Sequence, residues 1–521
     1  SFFKKNLINF LLINFIFFIF VSKSFGQASA GDQPTVTETE IITPFDSIPR
    51  FCNSPTVVAQ SNGLWSDQSI WSTNQVPSSG ARVSIPQNIQ VTYDANSSEG
   101  IDCIEIGAQG ELSWAPDQDT LLHVSNLQIL PNGTLTIGSD QNPINNQAEV
   151  VIQDIPLDVN GRDPRQYGNG IHGFGTVQVK GAPMDRTFIR FASEPLAGQT
   201  TLELEQSPLG WLPGDRLIIP DTRQIPFRKN KKYISQAEEP TIQAITGSTV
   251  TLNSPLVFDH LGPRDANGNV GPIELGMLPH VGNLSRNVII RSVRLSETSK
   301  SSYCSGPQNV LDTSNCVTRG HILLMERAEV DFRYAGLENL GRTTIGSLNN
   351  TSIDGSGNVA SIGSNQIGRY SIHLHHVMGP VNETNTGNQF TLVGNVIEGM
   401  LKWGLAVHDS HYGLVKDNIA YDGQGSAITT EDGNESFNVF ERNFVVHTKA
   451  GDQEQVLESP KRGGVFSGRK LFGTTRDGFW FSGMNNFLRD NVVANAPDFA
   501  YNYNGYYLSQ DQPIPNFRGA N

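Results

Sequence analysis

The chain is poor in charge: 17% of its 521 residues are Asp, Glu, Lys or Arg, and the balance is not basic. With 37 Lys and Arg against 51 Asp and Glu, its net charge is −14, which argues against a nucleic-acid binder because phosphate contacts need a cationic face. It has little of the Ala, Lys and Glu periodicity of helices, which excludes an all-helical fold. Cysteine is scarce, and Cys52, Cys103, Cys304 and Cys316 have no zinc-site spacing. Beyond the N-terminus no apolar run is long enough to cross a bilayer.

What is present points to strands. Hydrophobic residues make up 37% of the chain and 27 are Phe, enough to bury a large core and to exclude disorder. The 51 Gly and 28 Pro punctuate short β runs. The length allows two or three units of roughly 100–200 residues, or one long repetitive one. Lys4 and Lys5 precede an apolar run from Leu7 to Val21, and Ser24-Phe25-Gly26 follows, the order of a secretory signal over residues 1–26. That predicts a secreted or cell-surface protein with no membrane span once the signal is cleaved, the alternative being a retained signal anchor. In such a compartment cysteines pair, and Cys304 with Cys316, bracketing a Ser, Asn, Gly and Pro-rich loop, is the first expected bridge. The pairing of Cys52 and Cys103 stays open. Sequons at Asn96, Asn132, Asn283, Asn350, Asn382 and Asn434 offer glycosylation sites where the source glycosylates.

Residues 27–61 are polar and rich in Thr and Pro, and read as a linker. Residues 62–221 alternate short β runs with Gly, Pro and Asn turns. Residues 222–521 carry a repeat, still running as the chain stops at Asn521. Asn395-Val-Ile-Glu, Asn418-Ile-Ala-Tyr, Asn443-Phe-Val-Val and Asn491-Val-Val-Ala recur at intervals of 23, 25 and 48 residues. A unit of that size buries its faces only by stacking on copies of itself, the pattern of a parallel β-helix. Leucine-rich repeats share the period but need Leu at fixed offsets and a helical half, which are missing.

The second strand of each repeat predicts a file of outward side chains. In Ser371-Ile-His-Leu-His375 the Ile and Leu suit the interior and turn His373 and His375 outward. Aligned repeats continue that file with His408, Glu431, Ser482 and Asn504, and its companion with Ala406, Thr429, Trp480 and Asn502. His375, His408 and Glu431 are then consecutive rungs. Insertions at 342–366, 379–389 and 451–476 are placed to wall a groove along them. The third brings Lys461, Arg462, Arg469, Lys470 and Arg476, which with Arg369 and Lys416 could receive an acidic polymer, while Trp480 offers a sugar-stacking face. The same outward polar residues also fit a plain solvated surface.

Several motifs carry a family resemblance. Asn62-Gly-Leu-Trp65 through Trp71, Val76-Pro77, the Gly175–Gly181 run and Trp211-Leu-Pro-Gly-Asp215 resemble the landmarks of the G8 domain. Asn283-Leu-Ser-Arg-Asn287, Gly320-His-Ile, Gly368-Arg-Tyr-Ser-Ile-His-Leu-His375 and Glu431-Asp-Gly433 resemble the β-helix that follows it. The pairing is that of the family of the cell-migration-inducing hyaluronan-binding protein and the transmembrane hyaluronidase. The resemblance implies an all-β chain, a G8 domain followed by a right-handed parallel β-helix of pectate-lyase-like type. It implies action on hyaluronan or a similar uronate-bearing glycan, with His373, His375, His408, Glu431 and Asp432 as catalytic candidates beside Arg369. Two positions depart from the family pattern: Ser426 where a His is usual after Asp422, and Ser371 where Pro precedes Ile-His.

Three readings stand at this level. In a hydrolase, Glu431 or Asp432 is the general acid and His408 or His375 the base or stabiliser. In a lyase, a His takes the proton beside the uronate carboxylate while Arg369 or Lys416 offsets its charge. In the third, the protein is a non-catalytic adhesion or glycan-binding rod. No cofactor is assigned and the metal is left open; calcium through Asp432 or Asp409 is the one candidate, although no calcium-loop motif occurs. The expected partner is an extracellular acidic polysaccharide, met by a monomer.

Overall fold

The computed structural model describes residues 34–223, 234–264, 278–304, 314–346, 348–379, 387–449 and 475–503. No α-helix occurs among them, and no helix is long and apolar enough to cross a membrane. The expected signal at 1–26, Lys461 and Arg462 with most of their loop, and Asn504 lie outside the described residues.

Three parallel sheets wrap one long core, which gives a parallel β-helix starting at Val57. One sheet has ten short strands, from Gly63–Leu64 to Phe487–Arg489. A second includes the Asn-headed strands, such as Val396–Glu398, Ile419–Gln424 and Phe444–Lys449. The third carries Gly170–Gly173, His321–Met325, Ile372–Met378, Leu405–Ser410, Ile428–Thr430 and Phe479–Phe481, stacked in that order. Alternation explains the pattern: Ile322, Leu324, Ile372, Leu374, Leu405, Val407 and Ile428 all lie in the continuous core. Each coil leaves its neighbour's backbone groups to be paired by the next, so strands of three or four residues suffice.

The boundaries differ from those expected at 221/222. Coils stack through both expected domains without a break, because the strand Ala148–Ile152 pairs directly with Val288–Ser292. Between them, residues 183–284 leave the coil as an insert of two three-stranded antiparallel sheets with its own core, including Trp211, Leu217 and Val281. Phe188 and Ile218 of the insert pack on Val396, Ile419 and Phe444, covering the second sheet.

The linker expectation also gives way. Thr35–Val36, Glu40–Ile42 and Ser47–Pro49 form a three-stranded antiparallel sheet. Ile41, Ile48 and Phe51 bury against Leu130, Phe174, Leu323 and Met325 on the third sheet. A Cys52–Cys103 disulfide and an Arg50–Glu105 ion pair of 2.7 Å pin this sheet to the coils. The expected Cys304–Cys316 bridge is formed as well.

The repeated Asn has a physical explanation. The Asn395 side-chain N–H donates to Asn418 Oδ1 at 2.9 Å, Asn418 to Asn443 at 2.9 Å, and Asn443 to Asn491 at 2.9 Å. Each receiving oxygen also accepts the backbone N–H of the preceding Asn. Asn395, Asn418 and Asn443 are buried, so nothing else can satisfy those groups. Asn418→Ala is therefore expected to leave two buried N–H groups on Asn395 unpaired and to cost about 3 kcal/mol in urea unfolding. Wild-type stability in that variant would reject the ladder as a structural element.

Candidate active site: a histidine and carboxylate cluster under the N-terminal sheet

The third sheet places His375 directly beside His408, and His373 beside Ala406. Val407 pairs with Thr430, so Glu431 follows His408 at the next rung. The strand bends here: His376 has φ 58° and Asp409 φ 45°, left-handed positions that bulky residues seldom hold without a supporting frame. The bend brings His376 and Asp409 to the same side as the file.

The resulting cluster is tight. His375 Nδ1 lies 2.9 Å from His408 Nδ1, and His408 Nδ1 lies 3.7 Å from Glu431 Oε2. His373 Nε2 is 3.5 Å from that same oxygen. His408 Nε2–H donates to Asp432 at 3.0 Å, and His376 Nδ1 is 2.9 Å from Asp409. The file faces outward from the coil, yet it is not solvated: His373 and Glu431 are only 2% and 3% exposed. The N-terminal sheet lies over it. Phe45 stacks on the His376 ring at 3.9 Å, and Asp46 accepts from His375 Nε2–H at 2.7 Å and from the Tyr167 hydroxyl at 2.5 Å.

Burial divides the proton affinities. It holds His373 and His375 below the ordinary imidazole range, His375 well below, with the neighbouring imidazoles adding to the effect. Burial opposes the charge on His408 too, but Glu431, Asp432 and Asp409 outweigh it and push its pKa up to about 10. Glu431 falls to about 2, because the imidazoles of His408 and His373 overcome its burial. It is therefore ionised at neutral pH, which removes it as the general acid expected above. Glu435, raised to about 7 by burial, is the carboxyl that holds a proton near neutrality. Lys402, buried near Glu431, drops to about 8.

The expected polymer-binding residues are not gathered here. The Arg369 guanidinium is buried, donating to the carbonyls of Arg165, Gln166 and Ile367 and stacking 3.9 Å from the Tyr167 ring centroid. It braces the wall of the site and does not face a ligand. Trp480 is 4% exposed, stacked on Trp403 in the sheet, so it offers no sugar platform. Lys416 lies on the ten-stranded sheet, another face, paired with Glu441 at 2.8 Å. Ser426 is buried and donates to the carbonyl of Thr475.

Asp46, Tyr167, His376, Lys402 and Glu435 were not legible as site residues, and Asp409 only as a calcium ligand. His376 adjoins a named candidate and was hidden by strict strand alternation. Asp46 sits 329 residues from His375 in a segment with no periodic signal.

With this geometry in view, the comparisons with known proteins have a definite meaning. Residues 70–192 match the family model of the G8 domain, and residues 346–514 match that of the CEMIP beta-helix. The two matches stand in that order along the chain. The CEMIP beta-helix match includes every residue of the cluster except Asp46 and Tyr167. Human fibrocystin-L is 25% identical over 456 residues, 84% of this chain but 10% of that protein. The human cell migration-inducing and hyaluronan-binding protein is 26% identical over 256 residues, 48% of this chain and 16% of its own length. The chain thus spans about a tenth of the fibrocystin-L it matches. Among solved structures, the tailspike gp49 from Pseudomonas phage LKA1 aligns over 79% of this chain and 54% of its own at 10% identity. Its TM-score of 0.17 carries no argument.

Glu435 yields a pH prediction. Its folded value of about 7 stands above its ordinary 4.5, so between these the folded chain holds a proton that the unfolded chain has released. The associated stability is complete below pH 4.5 and is lost as pH rises through about 7. The Glu435 contribution is expected to fall by about 3 kcal/mol across that window, read as the change in the stability difference between wild type and Glu435→Gln in denaturant titrations at each pH. An unchanged slope in the variant would assign the dependence to other groups.

Proposed function

We propose that the chain binds and depolymerises an extracellular acidic polysaccharide, hyaluronan or a similar uronate-bearing glycan, at the cluster beside the N-terminal sheet. The observation that carries this reading is the convergence of His373, His375, His408, Glu431 and Asp432 on one face. Their surroundings hold His375 neutral and His408 charged. A neutral imidazole beside an imidazolium supplies both a proton acceptor and a proton donor at one pH. The positive charge at His408 also suits the negative charge that develops when a uronate loses its α-proton or a glycosidic oxygen departs. Asp432, with its side chain 56% exposed, marks the open edge of the site.

The printed name of the hyaluronan-binding relative supports the glycan class. Two disulfides and the charged-then-apolar N-terminal sequence support secretion. A non-catalytic glycan-binding role is favoured by one observation: His373 and Glu431, two of the expected catalytic residues, are buried away from the surface a polymer would meet.

Incubation with hyaluronan, chondroitin and pectin, followed by size exclusion and absorbance of the unsaturated uronate, separates the readings. Chain shortening with that absorbance denotes a lyase, shortening without it a hydrolase. His375→Ala and His408→Ala are each expected to slow shortening by about 10²–10⁴-fold while polymer binding persists. No shortening of any of the three polymers by wild type would leave the binding role.

A further inference from the structure

The hydrogen bonds around the three histidines set the direction of their lone pairs. His373 Nδ1 lies 3.0 Å from the Gly368 carbonyl, which can only accept, so Nδ1 carries the proton and Nε2 the lone pair. His375 Nε2 lies 2.7 Å from the Asp46 carboxylate, so its lone pair is on Nδ1. His408 Nε2 is committed to Asp432 at 3.0 Å, which leaves Nδ1 facing inward. The inward atoms are thus His373 Nε2, His375 Nδ1, His408 Nδ1 and Glu431 Oε2. The three histidines each offer a ligand atom within 4.8 Å of the others. Against this many acceptors, His408 Nδ1 has one proton to give, and it points to His375. His373 Nε2 and Glu431 Oε2 are buried with no hydrogen-bond partner, and the 3.5 Å between them sets two lone pairs face to face.

We propose that the three imidazole nitrogens form a binding site for one divalent transition-metal ion, a three-histidine site closed by the N-terminal sheet, with the Glu431 carboxylate beside His373 and His408. The spacing fits. Ligands about 2.0–2.2 Å from a zinc-like ion lie roughly 2.9–3.6 Å apart on adjacent corners. The 2.9 Å from His375 to His408 lies in that range, the third imidazole nitrogen is within 4.8 Å of both, and Glu431 stands 3.5 Å from His373 and 3.7 Å from His408. Imidazole donors select zinc, iron, cobalt, nickel or copper over calcium, which takes oxygen ligands, so the calcium expected from Asp432 or Asp409 does not match this set. The outer contacts are those of a built site. Asp46 orients His375, the Tyr167 hydroxyl holds Asp46, and the Gly368 carbonyl and Asp432 fix the other two rings. The alternative group of His376, His408 and Asp409 is the weaker host. It draws on His408 Nε2, already given to Asp432, and on Asp409, already bonded by Asn434.

In the metal-free chain the proton on His408 Nδ1 occupies the gap between the rings, and the ion would replace it. Either way a positive charge stands between His375 and Glu431. The metal inference rests on ligand geometry, so it holds whether the polymer is cleaved or only bound.

The test is metal binding to the full chain, read without any activity assay. Protein stripped with a chelator and dialysed is titrated with Co²⁺, followed by visible absorption and by elemental analysis after gel filtration, and then with Zn²⁺ in competition. One equivalent is expected, with ligand-field bands of a nitrogen and oxygen set, displaced by Zn²⁺ and not by Ca²⁺. His375→Ala and His408→Ala should weaken binding at least 100-fold. Asp46→Asn, which removes no ligand, should weaken it about 10–100-fold with an unchanged circular dichroism spectrum, which separates loss of the site from loss of the fold. Substoichiometric binding by wild type, equal affinity in His375→Ala and Asp46→Asn, or displacement by Ca²⁺ would each overturn the proposal. Metal binding without polymer shortening would keep this inference and remove the enzymatic one.

Discussion

In-register parallel stacking is the constraint on which the rest depends. A coil of this chain has strands of only three to seven residues along the third sheet from Ile372 onward, too short to persist alone. The buried Asn file and the aliphatic interior lock each coil to the next without slippage, because a one-residue shift would turn Ile372 and Leu374 out and both imidazoles in. Once that lock is set, residues 33 positions apart, such as His375 and His408, meet with the accuracy of a strand pair. The chemistry is a by-product of the packing rule.

Stacking alone would leave the file in water, where imidazoles and carboxylates keep ordinary proton affinities. The N-terminal sheet changes that. It stacks Phe45 on His376 and adds Asp46 as a hydrogen-bond partner of His375. Burial then disfavours charge on every group at once, and the site settles by concentrating positive charge on His408, negative charge on Glu431, and neutrality on His375. The insert plays the matching role on another face, where it covers Phe444 and Ile419 and pairs its Arg216 and Glu239 with Glu398 and Tyr421.

Much of this was legible in the residues themselves. The Asn spacing announced the coils, and the Ile-His-Leu-His alternation placed His373 and His375 on one outer file with His408 and Glu431. Contacts between remote segments were not legible. Thr43-Pro-Phe-Asp46 reads as a linker because strands of two or three residues carry no period, and nothing local says that Asp46 reaches His375. Arg369 and Trp480 read as ligand-facing because outward on a strand was equated with exposed, whereas one is spent on backbone carbonyls and the other on an aromatic stack. The continuous coil was hidden for a related reason: the insert at 183–284 interrupts the sequence pattern without interrupting the pairing of Ala148–Ile152 with Val288–Ser292.

The Asp46–His375 contact also dictates an order of assembly. During synthesis the cap emerges first, and its seat is translated only after 329 further residues. Until then Ile41, Ile48 and Phe51 have only the early surface near Leu130 and Phe174 to rest on. The Cys52–Cys103 crosslink, joining segments 51 residues apart, can tether the cap to the first coils long before the histidine coils exist. Oxidation early in maturation would therefore hold the waiting segment in place and out of stray pairing with other strand edges. The youngest coils then complete a pocket whose lid is its oldest part.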